Sequence, residues 1–167
     1  MSNDVLKKND DSLPFSIGVV GGGQLAQMLV LAAKEKDVKI SVQTSSENDP
    51  AASDATKVVL FGPQNIDGTR ELARLCKSIT FENEWVNIDS LSSLEEEGVK
   101  FFPSLESISH LVDKISQRTL LKKLDIPLAE WHPLSLKEAN DLRVSLDWDF
   151  PYMAKRSKGG YDGKGTK

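Results

Sequence analysis

The chain has 167 residues, 39% of them hydrophobic and 28% charged, with a formal net charge of −4. That is enough apolar material for one domain, or for one domain and part of another. The acidic balance argues against nucleic acid as the main partner, no apolar run reaches the ~18 residues of a membrane span, and a single cysteine, Cys76, leaves no intrachain disulfide.

Residues 1–14 are polar and carry both charges, without the apolar segment of a signal peptide. They read as a disordered tail on a cytoplasmic protein. Phe15–Val20 is a short apolar run suited to a buried parallel strand. Gly21-Gly-Gly23 turns the chain, and Leu25, Met28, Leu29, Ala32 and Ala33 follow at helical spacing, predicting that this face packs inward. Val38, Ile40 and Val42 alternate as a second strand. Strand, glycine turn, helix and strand open a Rossmann-like unit, whose helix N-terminus can hold an anion. Gly21-Gly-Gly-Gln-Leu-Ala26 fits G-x-G-x-x-[G/A]. Yet the acid that a dinucleotide site wants at the end of the second strand is replaced by Gln43-Thr-Ser-Ser46, and Glu47 and Asp49 come late. Turn glycines and a cofactor site both remain open.

Asp49–Asp54 reads as a loop and Lys57–Phe61 as a third strand. A helix is predicted over Thr69–Lys77, with Leu72, Leu75 and Cys76 on one face; Cys76 reads as a buried structural thiol. Ser78–Phe81 is a fourth strand. It ends in Glu82-Asn-Glu-Trp85, where open α/β sheets place ligands. Asn87 or Asp89 starts a helix that Gly98 stops, and Val99–Phe102 is a fifth strand closed by Pro103. Ser104–Leu124 reads as two helical pieces, the second capped by Asp113. Pro127–Trp131 is extended, Ser135–Glu138 is a capping box opening a helix to about Val144, and Pro151–Arg156 is a final strand. These elements predict a Rossmann-like α/β domain of five largely parallel strands over 15–108, and a second, incomplete domain over 109–167. His110 and His132 stand alone, without metal-ligand spacing. Trp85, Trp131 and Trp148 read as core or domain-contact residues.

The final strand runs into a loop with four glycines in seven residues, Gly159 to Gly165. Between residues 155 and 167 stand five cations, Lys155, Arg156, Lys158, Lys164 and Lys167, against one anion, Asp162. Flexible backbone that can turn its N–H groups toward an anion, flanked by positive charge, suits phosphate binding. The loop is not a Walker A loop: Lys158 stands where the first glycine belongs, and Gly165 follows the lysine in place of Ser or Thr.

Several segments together carry a resemblance. They are Ile17-Gly-Val-Val-Gly-Gly-Gly-Gln-Leu-Ala-Gln-Met28, Asp49-Pro-Ala-Ala-Ser-Asp54, Thr80-Phe-Glu-Asn-Glu84, Asp113-Lys-Ile-Ser-Gln117 with Leu124-Asp-Ile-Pro127, and Lys155-Arg-Ser-Lys-Gly-Gly-Tyr-Asp-Gly-Lys-Gly165. In this order they resemble the N-terminal half of the N5-carboxyaminoimidazole ribonucleotide synthetases, the PurK-type ATPase components of phosphoribosylaminoimidazole carboxylase in the ATP-grasp superfamily. The resemblance implies a pre-ATP-grasp domain followed by the start of an ATP-grasp domain. The implied reaction joins 5-aminoimidazole ribonucleotide to bicarbonate with ATP and Mg2+, in a homodimeric enzyme of purine synthesis. It places Lys114 and Lys155 against the nucleotide, and Gly160, Tyr161, Asp162, Gly163, Lys164, Gly165 and Thr166 in a mobile loop over the phosphates. Tyr161, Asp162 and Lys164 then have catalytic roles, and Gln24 and Glu82 serve the ribonucleotide side.

By the same resemblance, the adenine clamp and the acidic magnesium ligands belong beyond Lys167. The 167-residue chain alone is therefore expected to bind nucleotide weakly without turnover, with less protection after about residue 125. Two other readings compete: a dinucleotide-binding oxidoreductase fragment using Gly21–Gly23, and a non-catalytic remnant that dimerises.

Overall fold

The computed structural model describes residues 16–139, 151, 153–159, 165 and 166. The chain divides into two compact units, Met1–Ser109 and His110–Lys167. The first is built on β1 (Ser16–Val20), β2 (Lys39–Thr44), β3 (Lys57–Leu60) and β4 (Ser78–Phe81), a parallel sheet in the order β3-β2-β1-β4. Parallel neighbours need long crossovers. Helix α1 (Gln24–Lys34) makes the first and α2 (Ile66–Leu75) the third, while the turns of residues 45–56 join β2 to β3. Helices α3 (Ile88–Glu96) and α4 (Leu105–Ser109) follow β4.

Side chains alternate across a strand, and β1 and β3 feed two cores, Val19 and Val58 one and Val20 and Val59 the other. Val19, Ile40 and Val42 pack with Ala26, Val30 and Ala51 on the α1 face. Val20, Val59 and Ile79 pack with Leu72, Cys76, Leu91, Leu94 and Leu105 on the other. Burial raises the pKa of the Cys76 thiol, partly offset by hydrogen bonds with Ser41 and Ser16.

Four expectations are corrected. The buried residues of α1 are Ala26 and Val30, whereas Leu25 and Met28 are 57% and 66% exposed and Leu29 is exposed as well. The small residues face the sheet because they let the helix approach it closely. The larger residues are left outside, and the shared apolar character of Leu25, Ala26, Met28, Leu29 and Val30 hid the difference. Helix α2 begins before Thr69: Asn65 caps it by accepting from the Gly68 N–H at 3.1 Å. Gly68 lies inside the helix, at a position where a Cβ would sit 2.4 Å from Phe61 Cβ.

The fifth strand is a single parallel bridge, Ile79↔Phe101. The Ile79 N–H donates to Lys100 O and the Phe102 N–H to Ile79 O, both at 2.8 Å. Pro103 then offers no N–H to continue the ladder, and α4 starts at Leu105. No strand forms over 127–131, and the described part of 151–156 holds one antiparallel bridge, Lys155↔Thr166. Extended segments without neighbours do not make a sheet.

In the second unit, Asp113 caps α5 (Lys114–Lys123) as the sequence indicates. Its Oδ1 accepts from the Ile115 and Ser116 N–H groups at 2.8 and 3.0 Å. The capping box also forms at α6 (Leu136–Ala139): Ser135 N–H donates to Glu138 Oε2 at 2.7 Å, and Glu138 N–H to Ser135 Oγ at 3.2 Å. The rest of the predicted helix to Val144 and Trp148 lie outside the described residues.

Candidate functional site

The glycine turn sits where β1 ends, at the point where the sheet order switches from β2 on one side to β4 on the other. Ligands of doubly wound sheets lie at such points. Here the turn is held from three sides by the chain itself. The Gly21 N–H donates to Gln43 O and the Ala51 N–H to Gly22 O, both at 2.9 Å, so the Asp49–Asp54 loop clamps the turn. From β4 comes Glu82. Its Oε2 accepts from the Gly23 N–H at 2.9 Å and its Oε1 from the Ala26 N–H at 3.4 Å. Gln24, the first residue of α1, is exposed beside it. Asp49, late by the dinucleotide fingerprint, is hydrogen-bonded by Thr44 Oγ1 at the end of β2.

Sequence reasoning missed Gln43, which is fully buried. Its Nε2 donates to Gly62 O and Asn65 O at 2.8 and 2.9 Å, and its Oε1 accepts from Thr69 Oγ1 at 2.8 Å. A buried amide must be satisfied in this way. It fixes the loop between β3 and α2, which lines an open cleft of about 630 Å3 with Gly62, Pro63, Gln64, Asn65, Asn83 and Trp85. The lining carries no charged side chain. Trp85, expected in a core or domain contact, is 39% exposed at this cleft. Neither Gln24 nor Glu82 lines it.

In the second unit, the base of the phosphate-loop candidate is assembled around α5. Three of that helix's first N–H groups have partners. Asp113 takes two, and the Lys114 N–H donates to Ser157 O at 2.8 Å. The contact carries the Lys114 side chain to the start of the loop, where Nζ lies 3.4 Å from Gly159 O. The Lys155↔Thr166 bridge and the Arg156 N–H to Gly165 O bond, 2.9 Å, join the two ends of the loop. Lys114, Lys155, Gly165 and Thr166 are thus gathered around one loop base, with Lys155 exposed. Gly160, Tyr161, Asp162, Gly163 and Lys164 lie outside the described residues.

The first unit is thus an α/β domain built on a parallel sheet, with a glycine turn at the sheet's switch point. Residues 15–111 match the family model described as the ribonucleotide synthetase preATP-grasp domain, and the chain belongs to that family. It is 43% identical over 152 residues to the N5-carboxyaminoimidazole ribonucleotide synthase of Synechocystis sp. (strain ATCC 27184 / PCC 6803 / Kazusa), covering 91% of this chain and 38% of that protein. Among solved structures, it resembles the Aspergillus clavatus carboxyaminoimidazole ribonucleotide synthase complexed with ATP. That match has TM-score 0.81 and 31% identity, over 92% of this chain and 40% of that one. The Aspergillus clavatus N5-carboxyaminoimidazole synthase in complex with ADP and 5-aminoimidazole ribonucleotide matches with TM-score 0.74 and 28% identity, over the same shares. The chain spans about two fifths of the length of these relatives.

Proposed function

We propose that the chain forms the substrate-side domain and the beginning of the ATP-grasp domain of an ATP-dependent carbon–nitrogen ligase. This ligase carboxylates 5-aminoimidazole ribonucleotide with bicarbonate to N5-carboxyaminoimidazole ribonucleotide, in purine synthesis. The observation that carries the reading is the loop base in the second unit: Lys114 Nζ beside Gly159 O, with Lys155 paired to Thr166. The likeness to ligases solved with ATP, ADP and the ribonucleotide supports it.

In this reading a bicarbonate oxygen attacks the γ-phosphorus of ATP and ADP leaves, giving carboxyphosphate. The substrate amine then attacks the carboxyl carbon, losing a proton as phosphate departs. Negative charge spreads over phosphoryl oxygens in the first step, and fixed cations and backbone donors stabilise it. Lys114 and Lys155 supply the cations. Gly160, Gly163, Gly165 and Thr166 supply backbone donors in a loop that excludes water from carboxyphosphate. Tyr161, Asp162 and Lys164 act at the reacting groups, and Gln24 and Glu82 serve the ribonucleotide side.

Magnesium, when bound, would supply positive charge to the phosphates. Among the described residues no group of three or more His, Cys, Asp or Glu could hold it. A homodimer is supported by the exposed, uncharged α1 face of Leu25, Met28 and Leu29. A cytoplasmic site of action accords with purine synthesis, and no helix among the described residues is long and apolar enough to cross a membrane.

Calorimetric titration with ATP and with NAD tests the proposal. ATP should bind, and Lys114→Ala and Lys155→Ala should each weaken it about tenfold, the loss of one charged contact. Saturable NAD binding with no response to ATP would overturn the reading.

A further inference from the structure

Glu82 does something at the glycine turn that the ligase reading does not require. In a dinucleotide-binding domain the first N–H groups of this helix hold pyrophosphate. In this chain two N–H groups at this helix start, those of Gly23 and Ala26, hold a carboxylate from the end of the neighbouring strand. The Glu82 N–H donates to Val20 O at 2.9 Å, which fixes where the side chain starts. The two oxygens then reach Gly23 N–H and Ala26 N–H. The fit is close enough that a Cβ on Gly21 would stand 2.4 Å from Oε2, and one on Gly23 would stand 2.4 Å from Oε1. Glycine at these two places makes room for the Glu82 side chain. On the opposite side, a Cβ on Gly22 would meet Thr44 Oγ1 at 2.3 Å, so no space opens there either.

We infer that Glu82 is a specificity-determining and positioning residue: its carboxylate fills the anion seat at the head of α1, bars phosphate-bearing dinucleotides from the turn, and fixes the backbone from which Gln24 projects. A second anion at the turn would find the Gly23 and Ala26 N–H groups already engaged and a negative charge beside it. The turn keeps the Rossmann shape while its phosphate-binding use is closed from within. This inference stands whether or not ATP binds the second unit, because it concerns only contacts inside the first.

The test compares the 167-residue chain with its Glu82→Gln and Glu82→Ala variants, using inorganic pyrophosphate and NAD as probes. Backbone amide NMR at Gly23 and Ala26 gives the readout. In the unaltered chain these two amides should not respond to pyrophosphate. In Glu82→Ala both should move on substitution and then titrate with pyrophosphate, at an affinity about tenfold or more above the parent. Glu82→Gln keeps the size and one acceptor without the charge, and should gain a smaller response. A merely structural role would lower stability without creating pyrophosphate binding. A parent chain whose Gly23 and Ala26 amides titrate as well as those of the variants would overturn the inference, as would folded variants that gain nothing. Should Glu82→Ala not fold, the presence or absence of a gain in Glu82→Gln decides.

Discussion

The molecule has two glycine-rich elements, and they differ in what faces them. At Gly21–Gly23 every glycine is met by a side chain: added Cβ atoms would lie within 2.5 Å of Glu82 or Thr44. At Gly159, where φ is +69°, an added Cβ would meet nothing within 4 Å. The first turn is closed on a carboxylate; the second begins beside the Lys114 ammonium. Glycine permits a backbone to approach an anion, but the neighbouring charge decides whether the anion comes from the chain or from solution. The same residue type therefore marks a packed joint at Gly21–Gly23 and, among the described residues, an uncrowded position at Gly159.

The sharpest way to break this contrast is alanine at each. Gly21 combines φ of +121° with the 2.4 Å approach to Glu82. Gly21→Ala should therefore destabilise the first unit by roughly 3–5 kcal/mol, backbone strain and overpacking together. Urea denaturation followed by near-UV absorbance would measure it, and a loss below about 1 kcal/mol would mean that the turn is not closed as described. Gly159→Ala bears only the left-handed backbone cost, about 1–2 kcal/mol. Its effect should be confined to amide exchange in the second unit, with the first unit unchanged.

The smallest effect is expected at the surface pair Lys34–Asp54, 2.7 Å apart. The Lys34 hydrogen bond holds the Asp54 carboxyl below its usual pKa. A lowered carboxylate pKa contributes stability that is present above the ordinary carboxylate range and is lost as pH falls through the folded value. Stability of the parent should therefore drop slightly more steeply in acid than that of Asp54→Asn, and the two curves should run parallel near neutrality. Because the pair is exposed, the difference should also shrink with added salt.

How much of this was legible in the sequence follows the same division. The four parallel strands could be read because they are short stretches, apolar in β1 and β3 and alternating in β2, set between turn residues and helical patterns. The Asp113 cap and the Ser135–Glu138 box could be read because they are local. The buried face of α1 could not: Leu25, Met28 and Leu29 and the true inward pair Ala26 and Val30 are all apolar, and only closeness to the sheet chooses between them. Gln43 looked like the absence of a ribose-binding acid. Its role depends on Gly62, Asn65 and Thr69, 19 to 26 positions away along the chain. The lysines of the phosphate loop were visible as charge, whereas the contact that brings Lys114 to Gly159 spans 45 residues and exists only in the fold.

Cys76, the chain's one cysteine, ends α2 and packs in the core on the sheet face opposite α1, with 7% of its surface exposed. Its position makes it an internal clock. A thiol reagent can reach it only when that core opens, so the rate of modification counts excursions of the first unit and ignores those of the second. One unlabelled side chain thus separates the motions of the two halves, with no engineered probe.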